Sequence, residues 1–182
     1  MGAWRQERGF SLTELLVVTA VLGCVLAGLW TLLQAGFTAY GLGTARIEAQ
    51  QSARVALERM VKELREAGYD PTAAGIPAVT IAEPERVAFQ RDLNGNGTID
   101  PTHERVTFLV RPGETVLRRD AGGGAQPIAE GVRRLALTYY DRAGTVTSDP
   151  ARVAAIRIQL EVAFSGPGIV AESHVTLRNV LD

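Results

Sequence analysis

From Leu15 to Leu33 the chain has no charged residue, and at about 1.5 Å per residue a helix over that run reaches the roughly 30 Å hydrocarbon core of a bilayer. Such a helix can span a membrane, and any folded body must be attached to it. At its entrance stands Gly9-Phe10-Ser11-Leu12-Thr13-Glu14. Acidic residues inside spans are rare and usually have a partner, so Glu14 demands an explanation. Ahead of the motif, Arg5 and Arg8 put positive charge on the leading side. That fits a cytoplasmic end and sends the rest of the chain across the membrane.

Ordinary export signals fit this segment less well. A cleaved secretory signal wants a small-residue cleavage site after its apolar core, and Leu32-Leu33-Gln34-Ala35-Gly36 is a mediocre match. Lipid attachment at Cys24, in Val21-Leu22-Gly23-Cys24, would leave apolar Val25 to Trp30 as the start of a soluble protein. A plain anchor accounts for the apolar run but not for Glu14. Gly9 followed by Phe10, a glutamate five positions after the glycine, a basic leader and a long apolar helix together resemble the class III signal of type IV pilins and type II secretion pseudopilins.

The resemblance implies that a membrane-embedded prepilin peptidase cuts between Gly9 and Phe10 and N-methylates Phe10. Glu14 becomes the fifth residue of the mature protein. Its implied role is to pair with the α-amine of a neighbouring subunit, the natural partner for a charge buried in an apolar filament core. The implied location is the bacterial cytoplasmic membrane, single-pass, with the C-terminal domain outside the cytoplasm. The implied partners are membrane lipid before assembly, the inner-membrane assembly platform, and other minor and major subunits.

At 182 residues the chain fits one domain plus an anchor. The organisation expected is a leader at 1–9, an assembly helix at 10–34, a linker and amphipathic continuation at 35–68, and a β-rich domain at 69–182. A formal charge of -1 with scattered arginines gives no basic footprint, so nucleic-acid binding is not expected. Cys24 is the only cysteine, which excludes an intramolecular disulfide and a cysteine-based metal site.

Gly36, Gly41 and Gly43 each weaken a helix by up to about 1 kcal/mol relative to alanine, which allows a local bend or unwinding there. Arg46 to Ala67 then reads as an amphipathic helix. Ala53, Leu57, Met60, Val61, Leu64 and Ala67 recur at spacings of three and four, Glu58 and Lys62 form an i,i+4 pair, and Gly68 suits the C′ position. Beyond the Asp70–Pro77 connector, strands are expected at 79–81, 87–91, 106–110, 116–119, 135–140, 154–163 and 173–179. Pro127 to Arg134 reads as a short turn or helix. Ile156, Ile158, Leu160 and Val162 alternate with Arg157, Gln159 and Glu161, the pattern of a half-buried antiparallel strand. One long helix laid on an antiparallel sheet is an α+β fold, and the pilin fold is what the N-terminal resemblance implies. The run Arg54 to Tyr69 and the ending Val175-Thr176-Leu177-Arg178-Asn179 resemble the J-type minor pseudopilins and W-type minor pilins.

Asp92-Leu93-Asn94-Gly95-Asn96-Gly97-Thr98-Ile99-Asp100 matches the start of an EF-hand calcium loop. Oxygen side chains stand at positions 1, 3, 5 and 9, glycine at 6 and an apolar residue at 8, and Thr98 can add its carbonyl. His103 stands where the bidentate glutamate belongs, and Glu104 comes one residue late. Flanking strands argue against a true EF-hand and for rearranged ligands. Calcium at Asp92, Asn94, Asn96, Thr98, Asp100 and Glu104 is the expectation, and a wide hairpin turn built on Asn-Gly pairs is the alternative. Ala121-Gly122-Gly123-Gly124-Ala125 lacks the Gly-Lys-Ser/Thr ending of a phosphate cradle and reads as a flexible loop. No zinc or nucleophile-elbow motif is present, so an enzyme is not expected. The favoured function is a minor pilin or pseudopilin that initiates or caps a filament. The rival is a membrane-anchored, calcium-dependent adhesin or binding module that forms no filament.

Overall fold

Helix α1 runs without interruption from Leu12 to Leu64 in the computed structural model, which describes residues 10–164 and 168–180. The expected leader, with Arg5, Arg8 and Gly9, lies outside the described residues. The loosening expected at Gly36, Gly41 and Gly43 does not occur. Leucine, alanine and glutamine around these glycines favour the helix, and about 1 kcal/mol per glycine is too little to break it. The hydroxyls within the apolar stretch stay on their own backbone: Thr19 donates to the Leu16 carbonyl, Thr31 to Gly28 and Thr38 to Gln34. The span therefore presents no unsatisfied hydroxyl to lipid.

The chain divides between Gly43 and Thr44 into two units. In the first, every described residue is exposed. In the second, Ala53, Leu57, Met60, Leu64 and Ala67 are buried as the helical spacing predicts, joined by Ala49 and Ala56. Glu58 pairs with Arg54 at 2.8 Å rather than with Lys62. The stripe packs on two antiparallel sheets instead of the single one expected. Strands β1 (Val79–Glu83), β2 (Arg86–Gln90), β3 (Arg105–Val110), β4 (Val116–Asp120) and β5 (Gln126–Glu130) form a five-stranded meander in chain order. Strands β6 (Val132–Tyr140), β7 (Ala155–Val162) and β8 (Ile169–Thr176) form the second sheet.

Pro127 lies in β5, not in a turn or helix. It is tolerated because β5 is an edge strand, where a missing N–H costs no ladder bond. The last strand lies earlier than expected. After β8, Leu177 is buried, Arg178–Val180 form a 3₁₀ turn, and Asn179 donates to the Ala67 carbonyl at 3.1 Å. The tail thus satisfies a carbonyl beyond the end of α1.

The core joins the α1 stripe to Val87 and Phe89 of β2, Val106 and Phe108 of β3, Leu117 of β4, and Ile156, Ile158 and Leu160 of β7. Phe89 and Phe108 stack with ring centroids 6.1 Å apart. Charge reinforces the joint. Glu63 accepts from Arg59 Nε (3.1 Å) and Arg119 Nε (2.8 Å), while Arg91 ion-pairs with Glu66 and stands 3.9 Å from Glu63.

The Tyr139 hydroxyl donates to the Glu83 carbonyl at 2.7 Å, with the Arg86 carbonyl at 3.0 Å, and so ties β6 to the β1–β2 turn. Burial, with the charge of Glu83 adding to it, raises the Tyr139 pKa well above its ordinary value. A raised folded-state pKa contributes stability that is complete below the unfolded value of about 10 and is lost as pH rises through the folded value. Alkaline denaturation of wild type should therefore steepen above about pH 10, and Tyr139→Phe should flatten that limb while lowering neutral-pH stability by about 1 kcal/mol. Urea titrations across that range check the slope.

Candidate functional site

At the start of α1, Ser11 is the N-cap. Its carbonyl accepts from Leu15 N at 3.1 Å, and its own N–H donates to Glu14 Oε2 at 3.0 Å. Glu14 is the third helical residue, so Ser11-Leu12-Thr13-Glu14 has the spacing of a capping box, of which the Glu14 half is made while the Ser11 hydroxyl pairs with Thr13 Oγ1 at 2.8 Å. Sequence reasoning missed this, although the Ser-x-x-Glu spacing was its signal. Glu14 also lies where the helix dipole favours an anion. Capping engages Oε2, and Glu14 and Phe10 are both exposed. Gly9, the other processing residue, lies outside the described residues.

The second site is the connection from β2 to β3. Its backbone is anchored where Asp92 N donates to the Tyr69 carbonyl (2.7 Å) and Arg91 N to the Glu104 carbonyl (3.0 Å). Two buried carboxylates organise what lies between. Asp92 Oδ1 accepts the N–H groups of Gly95 (2.7 Å) and Asn96 (3.2 Å), and Oδ2 accepts that of Gly97 (2.8 Å). Glu104 Oε1 accepts from Leu93 N and Asn94 N, and Oε2 from Asp100 N. A carboxylate offers about four acceptor positions, so each acid is largely engaged by the loop's own amides.

The exposed residues follow the same logic. Asn94 Oδ1 accepts from Asn96 N, Asn96 Oδ1 from Thr98 N and Oγ1, and Asp100 Oδ1 from Thr102 N. Glycines at 95 and 97 adopt φ of 71° and 73°, the left-handed region they tolerate without strain. Glu104, the weakest ligand candidate by spacing, lies as deep in the loop's bonding as Asp92. Among the described residues, no three His, Cys, Asp or Glu side chains converge in a group able to hold a metal ion. A cation here would draw on the asparagine oxygens, Asp100 and the acceptor positions that the amides leave open.

The glycine loop at 121–125 is held at its start, Ala121 and Gly122, against the 101–103 turn. His103 N donates to the Ala121 carbonyl at 3.0 Å, and a Cβ on Gly122 would lie 2.4 Å from the Pro101 carbonyl oxygen.

Comparison with known families bears on the first site. Residues 4–30 match the prokaryotic N-terminal methylation motif. That match supports the type IV pilin and pseudopilin family, whose members are structural rather than enzymatic, and it implies prepilin peptidase processing and contact with other pilin subunits. The motif, and the one helix among the described residues that is long and apolar enough to cross a membrane, fit a single-pass, membrane-anchored protein. The match ends before the sheet-bearing unit. A comparison with curated proteins yields no match, so that unit is read from its own geometry.

Proposed function

We propose that the protein is a minor pilin or pseudopilin that initiates or caps a type IV pilus or a type II secretion pseudopilus. The observation that carries this is the methylation motif running into a helix whose stretch from Leu12 to Gly43 is mostly apolar and exposed on all sides, with Glu14 in its first turn. A surface of that kind has two stable environments: lipid, and the helices of other subunits. The helix sequence Arg54 to Tyr69 supports a J- or W-type minor subunit. Glu14→Gln separates the two roles of that side chain, since glutamine preserves the capping acceptor and removes the charge. Filament or secretion output should fall to the level of a deletion strain in Glu14→Gln and Gly9→Ala alike. Wild-type output in both substitution strains, with loss in the deletion, contradicts the proposal.

For the β2–β3 loop we propose weak calcium binding through Asp92, Asn94, Asn96, Thr98 and Asp100. Support comes from the glycine turn at position 6, closed onto the position-1 carboxylate by the Gly97–Asp92 bond. A site with few free carboxylates belongs to the millimolar class suited to extracellular calcium. Titration of Thr44–Asp182 should raise its melting temperature at millimolar calcium, and Asp100→Ala should abolish the rise. No shift in the wild-type fragment removes the ion from the account.

A further inference from the structure

The β2–β3 loop contains two successive Asn-Gly steps, Asn94-Gly95 and Asn96-Gly97, with both asparagines exposed. Glycine offers no Cβ to hinder ring closure. In that reaction the glycine nitrogen attacks the asparagine side-chain carbonyl carbon, and the side-chain nitrogen departs as ammonia, taking up the proton that the glycine nitrogen loses. Water then opens the cyclic imide to a carboxylate. One amide and one water become one carboxylate and one ammonium ion. The glycine nitrogen must be free to move and to lose its proton.

Here neither nitrogen is free. Gly95 N–H donates to Asp92 Oδ1 at 2.7 Å and Gly97 N–H to Asp92 Oδ2 at 2.8 Å. Asp92 is fully buried, and its negative charge opposes the growth of a second one on either nitrogen. The electrophilic side of the Asn96 step is, by contrast, prepared. Asn96 Oδ1 accepts both the N–H and the Oγ1–H of Thr98, each at 2.8 Å. Two donors therefore lie where charge develops on that oxygen as the nitrogen adds. Asn94 Oδ1 accepts only Asn96 N, at 2.9 Å.

We propose that Asn96, and after it Asn94, is a deamidation site held unreactive in the folded protein by Asp92, which acts as a positioning residue on the glycine nitrogens. Water opens the imide at either carbonyl, so reaction at both would place aspartate or isoaspartate at loop positions 3 and 5 and add a carboxylate at each, in the loop organised by Asp92 and Glu104. The inference rests on the loop's bonding and is independent of the filament reading.

The test uses the full chain in detergent, aged in mildly alkaline buffer and digested with trypsin, which cuts after Arg91 and Arg105 and releases both asparagines in one peptide for mass analysis. In folded wild type the conversion should be slower by about tenfold or more than in urea-unfolded wild type, the factor for releasing one charge-assisted hydrogen bond. Asp92→Asn, folded by circular dichroism, should lose most of that difference, with Asn96 converting before Asn94. Adding Thr98→Val should abolish that order. Equal rates in folded and unfolded wild type overturn the proposal whether or not the variants fold. So does a folded Asp92→Asn that is as slow as wild type.

Discussion

Glu63→Gln should destabilise the sheet-bearing unit by about 3–5 kcal/mol, the cost of breaking a buried ion pair by removing one partner. The Glu63 side chain is 12% exposed, and it faces Arg119 at 19% and Arg91 at 9%. Arg91 keeps its pair with Glu66, but its Nε is buried without a hydrogen-bond partner among the described residues, so Arg119 bears most of the loss. Glutamine keeps the shape and one acceptor but removes the charge that both guanidiniums share. The contrast is Arg59→Ala. Arg59 is 50% exposed, and its pair with Glu63 should contribute no more than about 1 kcal/mol. Urea denaturation of Thr44–Asp182 and the two variants checks the ranking. Equal, small losses would mean that the cluster is a solvated surface network.

Gly122→Ala should be comparably damaging although it adds a single methyl group. Its Cβ would lie 2.4 Å from the Pro101 carbonyl oxygen, 2.8 Å from Thr102 Cα and 2.9 Å from the Pro101 carbonyl carbon. All three are backbone atoms that cannot rotate away. The residue also sits at φ 89°, where a side chain costs roughly 1–2 kcal/mol before any clash. Overpacking adds about 1–3 kcal/mol, so a total of about 2–5 kcal/mol is expected. Gly123→Ala is the matched control, because nothing lies within 4 Å of its Cβ and its φ is not in the left-handed region. Melting temperatures of the two variants should separate clearly, and coincidence would refute the fastening of the glycine loop against the 101–103 turn.

These two positions show where the sequence was readable and where it was not. Periodicity exposed the α1 stripe and the β7 alternation, because burial of Met60, Leu64, Ile156 and Leu160 repeats at the spacing of the element itself. Glu63 escaped the same reading, since its partners Arg91 and Arg119 are distant in the chain and only the fold brings them to it. The division into two sheets was hidden for a similar reason. Strand character is local, whereas the break between β5 and β6 depends on the turn at Gly131, φ 69°, and on β6 pairing with β7. In the loop, spacing identified the oxygen-bearing residues but not their partners, and six backbone amides occupy the two central carboxylates. At the N-terminus the Glu14 cap on the Ser11 N–H was visible as a Ser-x-x-Glu spacing and was overlooked beside the stronger signal of a carboxylate at a membrane entrance.

We read the motif at 4–30 as a processed assembly signal. Intact mass and N-terminal sequencing of the protein, purified from membranes of a host with an active prepilin peptidase, test it most directly. The wild-type chain should begin at N-methylated Phe10, and Gly9→Ala should remain uncleaved. A wild-type protein that retains its first nine residues under those conditions, or one cut near Ala35, would contradict that reading.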